Sequence, residues 1–114
     1  MKALNGDKLR GHLETMVLSV LEQGEAHGLE VISRLEQQGC GLLKLKEGTL
    51  YPALYRLQDA GKIEVVREEK PPSGRGAPRR IYRLSRKGKK HLAQGRQEWV
   101  RFVELMGSII GAPA

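Results

Sequence analysis

The chain has 114 residues, enough for one domain with a modest core, and 39% of them are hydrophobic. Twenty Lys and Arg against thirteen Asp and Glu leave a formal net charge of +7, which favours an anionic partner, nucleic acid before an acidic membrane surface. One cysteine excludes an internal disulfide, and no apolar run approaches the ~18 residues of a membrane span, so a cytoplasmic protein is expected, with no membrane contact.

The first helix is expected over about residues 8 to 23. Leu9, Leu13, Met16, Val17, Val20 and Leu21 form its apolar stripe, and Asn5 or Asp7 is available as a cap. Gly24 ends it. "HGLEVISRLEQQG" predicts a second helix with Leu29, Ile32 and Leu35 inward and Gly39 after its end. "CGLLKLK" is a loop or a small strand. A third helix, "KEGTLYPALYRLQDA", stops at Gly61.

There the period changes from helical to alternating. "KIEVVREE" sets Ile63 and Val65 on one face and Glu64 and Val66 on the other; "PRRIYRLS" does the same with Tyr82 and Leu84. "KPPSGRGA" between them predicts a long hairpin tip. Ser85 caps a last helix running to about residue 110, whose stripe is Leu92, Trp99, Phe102, Val103, Met106, Ile109 and Ile110. The expected fold is mainly α with a small β-hairpin. It is a winged helix-turn-helix over 1–85, followed by a C-terminal dimerisation helix and tail over 86–114. Three helices already make a core, so an extra apolar helix is expected to pack on another chain.

From Arg67 to Lys90 there are ten basic and two acidic residues, a net of +8 against +7 for the whole chain. The positive field therefore lies on the hairpin and the start of the last helix, as a phosphate-binding wing requires. Arg75, between Gly74 and Gly76, is placed to enter a minor groove or lie along a phosphate. Arg79 and Arg80 fall on opposite strand faces.

On the third helix Leu50, Ala53, Leu54 and Leu57 share one ~100° arc, the buried face. Gly48, Thr49, Pro52, Tyr55, Arg56 and Asp59 share the opposite side. Pro52 therefore points outward, where its missing N–H costs little. Gly48 and Thr49 admit a partner's backbone, and Thr49 and Tyr55 offer hydrogen bonds or contact to a thymine methyl. Arg56 suits either a guanine edge or a phosphate. Tyr51, on the flank, reads equally as packing or as a phosphate contact. Lys44 and Lys46 complete this DNA-binding set just ahead of the helix.

"GTLYPALYRLQDAGKI", followed by "GRGAPRRIYRLSRKGKKHL", resembles the PadR family of bacterial transcriptional regulators over about Leu13 to Ile110. The resemblance implies a homodimeric winged-helix repressor with a recognition helix at about 47–60 and a wing at about 66–82. In the small subgroup, the last and first helices together would make the dimer interface. Leu13 and Val17 would then join Leu92, Trp99, Phe102, Val103, Met106, Ile109 and Ile110. It further implies that Trp99 could hold a small aromatic effector between paired interface tryptophans. Relatives often cap the third helix with serine and proline, whereas this chain has Lys46 and Glu47.

Other readings are weaker. His12, His27 and His91 lack metal-ligand spacing, and no nucleophile–base pair or phosphate-cradling loop occurs, so no cofactor and no enzymatic activity are expected. Cys40 reads as a small apolar residue, with oxidant sensing as its other role. The competing function is a winged-helix protein-interaction module docking an acidic partner through the wing.

Overall fold

A computed structural model describes residues 4–5, for which the backbone alone is described, and 12–111. Its elements run β1 (Leu4–Asn5), α1 (Leu13–Glu22), α2 (Gly28–Gln38), β2 (Leu43–Lys44), α3 (Glu47–Asp59), β3 (Ile63–Glu69), β4 (Arg79–Leu84) and α4 (Arg86–Ile110). The order expected from periodicity is present, with a short parallel pairing of β1 and β2 added. Leu9 and Asp7 of the expected first helix lie outside the described residues. Asn5 lies in β1 rather than at a cap; α1 starts after His12, which makes no side-chain cap bond.

One core unites the elements. From α1 it takes Leu13, Val17, Leu18, Val20 and Leu21; from α3 it takes Leu50, Ala53, Leu54 and Leu57. Burying a leucine-sized side chain stabilises by about 1.5–3 kcal/mol, so these two stripes dominate the fold. In α2 the buried face is Gly28, Val31 and Leu35, with Ile32 half-buried. Leu29, expected inward, is exposed. It precedes Val31 by two residues, about 200° around the helix, so both cannot face the core. The start of α2 is set by a histidine cap, His27 Nδ1 accepting from the Glu30 N–H at 3.2 Å.

β3 and β4 pair antiparallel, from Ile63 opposite Leu84 to Glu69 opposite Arg79. The register jumps between Val65 and Arg67, leaving Val66 as a bulge. A bulge adds one residue and reverses the alternation beyond it. Ile63 and Val65 accordingly pack with Tyr82 and Leu84, whereas Arg67 pairs with Ile81. The α1–α2 connection closes the sheet, Ala26 exchanging both backbone bonds with Tyr82 at 2.9 and 3.1 Å.

The first half of α4 belongs to the winged-helix body. Ser85 Oγ accepts from the Gly88 N–H at 3.0 Å and donates to the Gly61 carbonyl at 2.6 Å, which joins the helix start to the α3–β3 turn. A Cβ on Gly88 would sit 2.0 Å from the Lys62 carbonyl oxygen, so no side chain fits there. Leu92 fills the core beside α1. One turn on, Gly95 lets Thr15 approach to 2.9 Å of where a Cβ would stand, and Arg96 grips Glu22 with bonds of 2.8 and 3.2 Å.

Beyond that clamp the helix leaves the body. Trp99, Val100, Phe102, Val103, Leu105, Met106, Ile109 and Ile110 are all exposed, Ile109 at 72%. With 1.5 Å per residue the helix is about 37 Å long, which accounts for much of the 53 Å long axis. Three expected interface residues need correction. Leu13, Val17 and Leu92 are 5%, 0% and 1% exposed in the single chain, because they fill its own core and have no surface left to offer.

Candidate nucleic-acid interface

The outer face of α3 is built by what its inner face buries. With Leu50, Ala53, Leu54 and Leu57 fixed in the core, Gly48, Pro52, Tyr55, Arg56 and Asp59 are turned to solvent, and Thr49 is half-exposed beside them. Pro52 stands in the second turn, not the first. It cannot donate to the carbonyl four residues back, which leaves the Gly48 oxygen without its helical partner. Both residues are exposed, so water can satisfy that oxygen. The turn before it is regular, Thr49 and Leu50 N–H groups donating to the Lys46 carbonyl at 3.0 and 3.1 Å. Lys46 offers no side-chain cap, and Glu47 supplies the favourable charge in the first turn.

Tyr51 leans against α2. Its ring covers Gly28 at the start of α2, where a Cβ would meet Tyr51 atoms at 2.7–2.8 Å. The tyrosine is a partly buried packing residue against the core, and this burial, reinforced by Glu47 and Tyr55, raises its phenol above the ordinary value. Tyr55 stays outward, its ring centroid 6.5 Å from that of Tyr51. Arg56 is exposed but not loose; its Nε donates to Glu14 Oε1 of α1 at 3.2 Å.

The wing presents fewer open cations than its sequence suggests. Arg67, re-aimed by the bulge, pairs with Glu25 and Glu69; Arg83 pairs with Glu64 across the ladder, and Arg80 lies 3.9 Å from Glu68. Charge neutralised internally adds little to a long-range field. Arg79 and Arg80 do face opposite ways. Arg79 shares a cleft of about 320 Å³ with His27, Glu30, Arg67 and Ile81, whereas Arg80 is exposed. Arg75 is the exception at the tip. Gly74 and Gly76 adopt φ of 72° and 91°, a region open to glycine, and fold the tip so that Arg75 stands exposed. Ser73 Oγ accepts from the Arg75 N–H at 3.2 Å and holds that turn.

Lys44 and Lys46 are exposed at the entry to α3. Lys44, Lys46, Tyr55, Arg56, Arg75 and Arg80 are thus exposed side chains with hydrogen-bond donors on α3, its entry and the wing. Cys40, expected as a packing residue, is exposed in a left-handed turn at φ 53°. His27 was not foreseen as a cap, although its place just before "GLE" is the position from which a side chain reaches the third helical N–H. Among the described residues no group of three or more His, Cys, Asp or Glu is placed to hold a metal.

Known proteins share this architecture. A transcriptional regulator from Clostridium thermocellum superposes with a TM-score of 0.81 at 28% identity, over 91% of this chain and 98% of its own. A PadR family transcription regulator from Clostridium difficile gives 0.74 at 29% identity, over 89% and 100%. A PadR-like transcriptional regulator from Bacillus cereus gives 0.75 at 26%, over 94% and 99%. In sequence, an uncharacterized protein of Lysinibacillus sphaericus is 27% identical over 103 residues, 90% of this chain and 92% of that protein. The model of the transcriptional regulator PadR-like family matches residues 17–94. Since that match spans from the middle of α1 through the wing into α4, the chain belongs to the PadR-like family of DNA-binding transcriptional regulators, which are not enzymes.

Proposed function

We propose that the protein is a homodimeric repressor that reads a pseudo-palindromic operator, with one α3 in each half-site and one wing along the flanking phosphates. The observation that carries this reading is the pairing of two surfaces on one chain. One is the exposed outer face of α3 beside an arginine-tipped wing. The other is the second half of α4, whose apolar side chains from Trp99 to Ile110 stand exposed among the described residues. Contiguous apolar surface of this kind favours a partner, and a second identical helix is self-complementary under two-fold symmetry. Recognition helices about 34 Å apart then meet successive turns of the major groove.

The interface proposed for the second copy consists of Trp99, Phe102, Val103, Met106, Ile109 and Ile110, without the three residues already committed to the core. Trp99 stacks on Phe102 at 5.9 Å and meets His12 edge-on at 5.8 Å, an aromatic cluster at the edge of that surface. A flat aromatic effector between two such clusters would displace the helices and with them the half-site spacing. A gel shift with the duplex upstream of the protein's own gene, at low salt and micromolar protein, tests the reading. A retarded band that competes poorly with random DNA is expected, and light scattering should give twice 12.7 kDa. No band, or a mass of one chain at the same concentration, would overturn it.

A further inference from the structure

Arg56 and Glu14 come from different helices and are 42 residues apart in sequence, yet they meet at a defined atom. The Arg56 Nε–H donates to Glu14 Oε1 at 3.2 Å, and neither terminal nitrogen of the guanidinium has a hydrogen-bond partner among the described residues. An exposed ion pair of this kind contributes little to folding. Its geometry does something else. An unbuttressed arginine samples many rotamers and loses that freedom when it makes a contact. One tied at Nε keeps its planar end in a narrow set of orientations and turns the two outer N–H groups away from the carboxylate. Those two donors match the O6 and N7 acceptors that guanine shows in the major groove. A phosphate offers acceptor oxygens over a wider range of directions than a base edge, so such fixing matters most for guanine.

We infer that Glu14 is a positioning residue for base reading: it holds Arg56 from α1 so that the guanidinium end is preset for a bidentate contact with guanine. This rests on the reading of α3 as the recognition helix. The carboxylate serves in spite of its sign. A negative group near DNA repels phosphate, so Glu14 lowers general affinity while it sharpens discrimination, and the two effects separate experimentally.

The test is selection of bound duplexes from a randomised library by the full-length wild type, Glu14→Ala, Glu14→Gln and Arg56→Lys, with dissociation constants then measured for the selected duplex and for random DNA. The wild type should enrich guanine at one position per half-site. Glu14→Ala should lose about tenfold in preference for guanine there, within the range a bidentate pair supplies, while binding random DNA equally or more tightly. Glu14→Gln, which keeps an acceptor for Nε, should restore most of the preference, and Arg56→Lys should not. Thermal unfolding should be alike in all four. If Glu14→Ala and Glu14→Gln tighten every sequence equally and leave the guanine preference intact, Glu14 is only a repelling charge and the inference fails. A wild type that enriches no sequence would overturn the recognition-helix reading as well.

Discussion

The two halves of α4 differ in composition and meet opposite fates: Leu92 and Ala93 are the apolar side chains up to Arg96, against eight from Trp99 to Ile110. Up to Arg96 the helix is held by a cap, a buried leucine, a close glycine contact and a two-bonded ion pair. From Trp99 onward the residues are bulkier, and their aliphatic and aromatic side chains stand in solvent. Helical periodicity reports an apolar stripe but not which surface covers it. Among the described residues, the α1 side of the body meets α4 as far as His12 against Trp99.

That contrast can be broken from either side. The largest effect is expected from Val103→Glu combined with Met106→Glu. Both sites are exposed in the single chain, so each fold should survive within about 0.5 kcal/mol while association is lost. Sedimentation should find one chain where the wild type shows two; an unchanged mass would place the interface elsewhere. Leu92→Ala works on the covered half. Truncating this buried leucine should cost about 2–5 kcal/mol in chemical denaturation, whether or not the chain is associated.

A smaller loss, about 1–3 kcal/mol, is expected from Gly95→Ala, because the new Cβ presses Thr15 at 2.9 Å. Thr15→Ala should relieve most of it in a double-mutant cycle, and simple additivity would mean the two helices do not touch there. The mildest change is Glu22→Gln. The Arg96 hydrogen bond holds the Glu22 carboxyl below the ordinary carboxylate range. The pair's stabilisation is therefore fully present above that range and is lost as pH falls through the lowered value. Melting curves of wild type and Glu22→Gln should converge in acid and separate slightly at neutral pH.

Much of the fold was legible because it rests on local periodicity. The stripe of α3, the two strands and the Ser85 cap follow from spacing alone. Leu29, expected inward, is exposed, and Leu13, Val17 and Leu92, expected on a second chain, fill the core. In each case periodicity marked an apolar residue, and only the packing of neighbouring helices says which apolar residues the chain covers for itself. The candidate site was legible as a set of exposed donors. The bulge at Val66, the carboxylate partners of Arg67 and Arg83, and the Glu14 contact to Arg56 depend on long-range approach and leave no mark in the sequence. The formal count of ten cations near the wing overstated its available charge for that reason.

Trp99 is the chain's one tryptophan, and it stands where the covered half of α4 gives way to the bare half. Its indole is half in solvent, stacked on Phe102 and touched by the ring of His12. Intrinsic emission from this protein is thus a single-site signal from that boundary. Burial of the bare half should shift it to shorter wavelength, and an aromatic guest beside it should quench it, so dilution and titration can be followed without attaching any dye.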